Sequence, residues 1–372
     1  MRVNGGPGGN RRATLKEVAG ELGISPSTVS NAYNRPDQLS RELRERVFET
    51  ARSLGYSGPD PLGRSLRRRR TGAIGVLYTD RLSYAFRDPA AVLFLEGVSE
   101  ATEEAGLGLL LIPGSPRDKR DTAAVREAAV DGMIVFCMAE EDPLLAAALE
   151  RRLPVVLVEQ PPIEGLPAVV IDDEGASREA AEHLIELGHE RLAVASIELS
   201  YRPEGGLVDT IRQRAATYRP SRARLAGYEA AAIAAGLRWK QTPVYECVGN
   251  SRAQGRAAAR ELLSRNPRPT AILCMSDLIA AGVMEEAAAQ GLSVPADLSV
   301  VGFDDVPEAA RMEPPLTTVS QPHIEKGQKA GRALISLLGG EPAPQTASLA
   351  TRLVVRGSTG SPPGEEPEPN TH

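Results

Sequence analysis

Between Leu22 and Asn34 the chain reads LGISPSTVSNAYN. Ser25, Ser27, Thr28, Ser30, Asn31 and Asn34 place hydroxyls and amides on a short uncharged stretch. Such groups both donate and accept hydrogen bonds, so they suit phosphate oxygens and base edges better than bond-breaking chemistry. Other reactive residues are sparse. Of the four histidines, His183 and His189 are six apart and fit no metalloprotease spacing. His189 follows a glycine at the start of a strand candidate, a structural placement. No Gly-x-Ser-x-Gly elbow, phosphate-binding Walker loop or strand-linked Gly-x-Gly-x-x-Gly is present. Asp172-Asp173 ends a strand before a helix and reads as a cap rather than a metal site. The expectation is a protein that is not an enzyme and needs neither metal nor cofactor. A second polar set, Thr79, Glu159, Ser276 and Asp304, falls at the ends of apolar runs. Open parallel sheets bind small molecules at such positions.

The elements that must position the first set are helical. Leu15, Val18, Ala19 and Leu22 recur at helical spacing, with Thr14 and Glu17 forming a capping-box pattern. Gly23 ends that helix. Ser25 then offers an N-cap with Pro26 at the first helical position, and Val29, Ala32 and Tyr33 face inward. A third helix follows Ser40 and packs through Leu43, Val47, Phe48, Ala51 and Leu54. Two short helices around a tight turn, with a third behind, form a helix-turn-helix, whose second helix enters the major groove. Charge supports this reading. Residues 1–70 hold 14 Lys/Arg against 7 Asp/Glu, whereas the whole chain is −6, so the remainder carries a formal −13. A basic head on an acidic body meets a polyanion with the head alone.

From Ala73 apolar strands alternate with helices: 73–78, 107–112, 132–137, 154–159, 168–172, 191–196, 243–248, 271–276 and 299–304. Near-continuous apolar strands mean parallel sheets covered on both faces. About ten strands suit two such lobes. The expected organisation is a disordered N-terminus (1–12), a helix-turn-helix domain (13–57), a hinge linker or helix (58–71), an effector and dimerisation body (72–356) and a disordered tail (357–372). Lobe 1 is expected over about 72–172 and 322–345, and lobe 2 over about 173–320 and 346–356. Residues 197–220 are longer and more charged than an ordinary connection, so a lid, a partner surface or disorder all remain open. Cys137, Cys247 and Cys274 lie far apart in apolar runs, which suits reduced, buried thiols. No apolar run is long enough for a membrane span, and no apolar stretch follows the N-terminal arginines, so a cytoplasmic protein is expected.

Specific blocks now fall together. TLKEVA (14–19), GIS (23–25), TVSNA (28–32), LGY (54–56), PDP (59–61), RSL (64–66), LGHERLA (187–193), RLAGY (224–228), VVGFDD (300–305) and PLTTV (315–319) resemble the lactose/galactose repressor (LacI/GalR) family. The resemblance runs from about residue 13 to 356. It implies a homodimeric transcription regulator, most often a repressor, with an all-α head, a hinge helix and an α/β body like a periplasmic binding protein. Its implied partners are a pseudo-palindromic double-stranded operator and a small-molecule effector. On that resemblance Ser25, Pro26, Ser27, Ser30 and Asn34 approach DNA. Pro26 and Ser27 hold the base-selecting positions, and Thr14 and Leu15 with the loop residues Arg35 and Gln38 join the interface. Leu66 matches a hinge leucine that wedges between base pairs, a step that kinks the duplex. Gly63 stands where the family usually has alanine and weakens the hinge helix by up to about 1 kcal/mol. Arg64 and the run Arg67–Arg70 supply phosphate charge.

In the body the resemblance points Arg224, Asn250, Ser276, Asp304 and Gln321 at the effector, with Glu159 from the other lobe. Asn250 stands where sugar-binding relatives often place an aromatic platform, so stacking is expected from Tyr84 or Phe86. A sugar or sugar derivative is the leading effector class. A corepressor, a protein partner or a nucleoside is the alternative, and a cytoplasmic solute-binding protein a more distant one.

Overall fold

The computed structural model describes residues 13–58, 70–78, 82–114, 121–160, 162–342 and 346–364. The chain divides into two units, Met1–Thr71 and Gly72–His372. In the first, helices α1 (Leu15–Leu22), α2 (Pro26–Asn34) and α3 (Arg41–Ser53) pack around Val18, Ala19, Val29, Ala32, Val47 and Ala51. Each begins as the sequence dictates. Thr14 and Glu17 exchange both capping-box bonds, Ser25 Oγ accepts from Thr28 N at 3.1 Å, and Ser40 Oγ from Leu43 N. Gly23 adopts φ 64°, the left-handed conformation that ends α1 and lets the N-cap of α2, Ser25, follow two residues later. Tyr33 packs edge-on against Phe48 and Tyr56. Leu54, expected in this core, is 39% exposed because α3 has already ended at Ser53.

The second unit contains two lobes, each built on a twisted sheet. In chain order the elements are β1 (Ala73–Tyr78), α4 (Leu82–Ala85), α5 (Pro89–Glu104), β2 (Gly108–Ile112), α6 (Ala123–Glu127), β3 (Gly132–Phe136), α7 (Pro143–Glu150), β4 (Val155–Val158) and β5 (Ala168–Ile171). Then come α8 (Asp173–Glu186), β6 (Leu192–Ser196), β7 (Gly206–Val208), α9 (Thr210–Arg214), α10 (Arg219–Ala234), β8 (Val244–Glu246), α11 (Arg252–Leu263), β9 (Ala271–Cys274), α12 (Asp277–Ala289) and β10 (Ser299–Asp304). The chain closes with β11 (Thr317–Ser320), α13 (His323–Gly339), β12 (Thr346–Leu349) and β13 (Arg352–Val354).

The first sheet has the order β12-β5-β4-β3-β1-β2 and is parallel throughout. The second has the order β13-β11-β10-β9-β6-β8-β7, with antiparallel strands only at its two edges. With the added edge strands β12, β7 and β13 set aside, the strands of each lobe run 2-1-3-4-5 in their own order, a doubly wound order that leaves a crevice where successive strands depart in opposite directions. The chain passes between lobes three times, at β5 to α8, β11 to α13 and β12 to β13. Each lobe therefore borrows a helix: α8 packs on α10 in lobe 2, and α13 packs on α5 in lobe 1. Glycine sets the closeness of the second pair, since a Cβ at Gly97 would collide with the carbonyl of Ile324 and one at Gly327 with that of Phe94.

Two boundaries differ from the sequence reading, and residues 197–220, whose order the sequence left open, are ordered. Residues 346–349 belong to lobe 1, as β12 extends the first sheet beside β5. The tail expected to be disordered from 357 is built into lobe 2 through residue 364. Ser358 is fully buried, accepting from Thr317 N and donating to Val300 O, while the carbonyl of Gly360 meets His189 Nε2 at 2.9 Å. Residues 197–220 are ordered around the buried carboxylate of Glu246, which accepts from Leu199 N, Glu204 N and Gly205 N and pairs with Arg212. Among the described residues no helix is long and apolar enough to cross a membrane.

Candidate functional site

The two lobes enclose a cavity of about 360 Å³ beyond the carboxyl ends of their strands. Both crevices open into it. Lobe 1 contributes Tyr78, after which β1 ends, with Phe136 and Cys137 from the end of β3. Lobe 2 contributes Ile197 after β6, and Met275 and Ser276 after β9. Three wall residues that are not glycine sit at positive φ: Cys137 at 47°, Glu159 at 68° and Asp304 at 143°. Backbone strain of about 1–3 kcal/mol per residue persists only where the surroundings enforce it, and it gathers at ligand sites.

Six of the nine expected effector residues line this cavity: Glu159, Arg224, Asn250, Ser276, Asp304 and Gln321. Phe86 does not. It is 62% exposed and outside the wall, because the turn after α4 carries it to the surface. The aromatic surface comes instead from Tyr78 and Phe136, whose ring centroids lie 5.1 Å apart, and from Tyr218 opposite. Thr79 and the Tyr84 side chain lie outside the described residues, as do Gly63, Arg64, Leu66 and Arg67–Arg69.

The polar wall is held by two hydrogen-bonded sets, one around Arg224 and one running from Glu159 to Asp304. Arg224 Nε donates to Asp173 Oδ1 at 2.8 Å, Nη1 donates to Met275 O at 2.6 Å, and the guanidinium lies 3.7 Å from the Phe303 ring centre. Lys326 is ion-paired with Glu159 and donates to Gln321 Oε1 at 2.8 Å. Gln321 Nε2 in turn donates to Asp304 Oδ1 at 2.8 Å, while Asp304 Oδ2 accepts from Asp277 N at 3.4 Å. Burial, then the neighbouring charge of Asp277, pushes the Asp304 carboxyl well above the usual range. Burial likewise raises Asp277 to about 6 and Cys137 to about 12. His323 is pushed down to about 3, by burial first and the Lys326 charge second, so its ring is neutral near pH 7.

Hydrogen bonds join the lobes, among them one from His323 Nε2 to Asp304 O at 3.2 Å. Asn250 Nδ2 donates to Asp88 Oδ2 at 3.2 Å, and its carbonyl oxygen accepts from Ser276 Oγ at 2.5 Å. Thr217 Oγ1 donates to Glu141 at 3.2 Å, Arg219 N to Gln160 Oε1 at 2.7 Å, and Arg219 Nη1 to Glu159 O at 3.2 Å. Asp88, Asp173, His323 and Lys326 escaped the sequence reading. Asp88 and Asp173 sit at helix starts, where an acid reads as a cap, and Asp88 does cap α5 by accepting from Ala90 N. The remaining signal was spacing: His323 and Lys326 lie three apart on the first turn of a helix that leaves Gln321.

In the head, Ser25, Pro26, Ser27, Asn34, Arg35 and Gln38 are exposed. Several are already engaged. Ser25 Oγ lies 2.6 Å from Ser27 Oγ and 2.8 Å from Thr28 Oγ1, Asn34 Nδ2 donates to Ser30 O, and Asn31 Nδ2 to Gln38 Oε1. Thr14 is exposed and Leu15 half-buried at the start of α1. The start of α2 thus presents a proline and a hydroxyl cluster to solvent, with no charge of its own.

A helix-turn-helix head joined to a two-lobed α/β body with a polar interlobe cavity defines a ligand-responsive DNA-binding regulator. The pattern of bacterial regulatory proteins of the lacI family matches residues 14–58, and that of the periplasmic binding protein-like domain matches 181–359. An HTH-type transcriptional regulator of Mycobacterium tuberculosis is 45% identical over 361 residues, covering 96% of this chain and 99% of the relative. A solved LacI-family transcriptional regulator from Corynebacterium glutamicum superposes with a TM-score of 0.72 at 38% identity, over 95% of this chain and 99% of that one. The solved complex of the transcriptional regulator CelR with cellobiose gives 0.66 at 30% identity, over 93% and 100%. The chain belongs to the LacI family of bacterial transcription regulators.

Proposed function

We propose that this regulator is a homodimeric repressor that reads a two-fold symmetric operator through α2 and is controlled by a sugar-like effector in the interlobe cavity. One observation carries the reading. Six polar residues from both lobes and from a chain crossing converge on a single strained cavity, while the same chain carries a capped recognition helix. The binding of cellobiose by a relative supports the effector class. Pro26 and Ser27 select bases, with Pro26 limited to apolar contact such as a thymine methyl. Ser25, Thr28, Ser30, Asn31 and Asn34 hold α2 in register, with Thr14, Leu15, Arg35 and Gln38 at the edge of the interface. Gly63, Arg64 and Leu66 complete it, with Leu66 as the minor-groove wedge. In the cavity Glu159, Arg224, Asn250, Ser276, Asp304 and Gln321 receive the effector. Arg224 and Asp304 act as fixed dipoles rather than catalysts, since each is already tied to stationary partners. Binding changes the lobe angle and with it operator affinity.

Footprinting of the full-length protein on selected DNA tests the reading. A palindrome protected by a dimer, with protection altered by an added sugar, is the expected result. Equal protection of a lone half-site by a monomer would overturn the dimer, and protection unmoved by every small molecule would overturn effector control.

A further inference from the structure

Both cations that line the cavity are already neutralised. Arg224 is bonded to Asp173 and to Met275 O, and its flat face is covered by Phe303. Lys326 is only 1% exposed and is held by Glu159 and Gln321. Asp88, Glu159 and Asp304 also line the space. In this wall Glu159 Oε2 is buried and has no hydrogen-bond partner among the described residues. Its residue is 7% exposed and sits at φ 68°, so an acceptor is held at the cavity wall on strained backbone. A buried acceptor without a donor carries its full desolvation cost until a donor arrives.

We infer that the cleft takes an uncharged, single-ring, hydroxyl-rich molecule and excludes its phosphorylated and carboxylated forms, with Glu159 Oε2 accepting a hydrogen bond from a ligand hydroxyl. This deepens the effector reading above and rests on it. A hydroxyl satisfies Glu159 Oε2 without disturbing either ion pair. A phosphate or carboxylate needs a cation of its own. Drawing Lys326 or Arg224 toward it strands Glu159 or Asp173 as an unpaired buried charge, which is the costly way to break a buried pair. The cavity of about 360 Å³ sits at the small end of ligand pockets and suits one ring. Tyr78 and Phe136 offer an apolar wall for its carbon face.

The test uses the full-length protein in thermal-shift and calorimetric titrations. The probes are monosaccharides and cyclic polyols, each beside its monophosphate ester and its carboxylate derivative. At least one neutral probe is expected to raise the melting temperature, with its charged derivatives binding about 100-fold more weakly or worse. In Glu159→Gln, where Lys326 loses its counter-ion, that preference should shrink or reverse. The wild-type comparison stands alone should that variant fail to fold. A phosphate ester or carboxylate that binds as tightly as its neutral parent overturns the inference and leaves effector control intact. A neutral probe that binds selectively but leaves operator affinity unchanged supports the inference and sinks effector control. If no probe binds, both fall.

Discussion

Arg224 combines a structural role with a place in the wall of the proposed effector cavity. Its guanidinium reaches Asp173 and Met275 O in fixed directions while lying over Phe303, so it is immobile before any ligand arrives. Arg224→Ala leaves Asp173, 4% exposed, without its counter-ion. We expect a loss of about 3–5 kcal/mol in urea unfolding. Arg224→Lys should recover little, because an ammonium cannot reproduce the planar fork and the stack. His323 gives a pH signature. Its folded value of about 3 lies below the unfolded 6.5, so the unfolded chain binds the proton first. Its contribution is complete above about pH 6.5 and is lost as pH falls toward 3, at up to roughly 1.4 kcal/mol per pH unit. Stability–pH curves of wild type and His323→Gln should therefore converge on acidification, and parallel curves would refute the assignment. The sequence made Arg224 and Asp304 legible through ordered blocks around them. It hid Asp173 and Lys326, since nothing local says which face of a crossing helix meets the cleft.

Elements add a division of labour within the head. Ser25 is the N-cap of α2, whereas Ser27 one turn edge away is exposed and supports no backbone group. Ser25→Ala is expected to cost the head's unfolding transition about 1 kcal/mol. Ser27→Ala should stay within about 0.5 kcal/mol while changing which operators are selected from a random pool. Equal stability losses from the two would argue against this partition. In the body, α5 and α13 touch backbone to backbone through Gly97 and Gly327. Gly97→Ala should be worse than an ordinary core substitution, by more than about 3 kcal/mol in chemical denaturation, because the obstacle is a carbonyl that cannot rotate away. Most interior strands were readable from apolar runs, but β11, interior between β10 and β13, was not, since three of its four residues carry hydroxyls. The edge strands β7, β12 and β13 were not readable either, since they are only three or four residues long and owe their order to neighbours. Segment 197–220 is organised by the buried Glu246, whose partners come from four places along it. The tail through 364 was hidden for the same reason: hydroxyls and carbonyls, rather than apolar side chains, fasten it.

At the scale of the whole molecule, side-chain bonds across the cleft bear on closure of the body. Asn250 ties Asp88 of one lobe to Ser276 of the other, so it reports the lobe angle directly. Asn250→Ala should favour the open arrangement, weakening effector affinity about tenfold and increasing hydrogen exchange at the start of α5; unchanged exchange there would place the closure elsewhere. The two-lobed architecture itself was legible from the count and spacing of strands. The exact crossings were not, because β12 and β13 are separated by only two residues yet lie in different sheets. Those crossings also bear on how such a gene can change. Neither lobe is a contiguous stretch of coding sequence, so a recombination breakpoint between codons 173 and 349 splits at least one folding unit and joins halves with no shared history. A breakpoint near the boundary at residue 71 leaves every body sheet whole. New pairings of operator and effector are therefore reached by exchanging the head entire, while new effector preferences must accumulate by point substitution around an uninterrupted body.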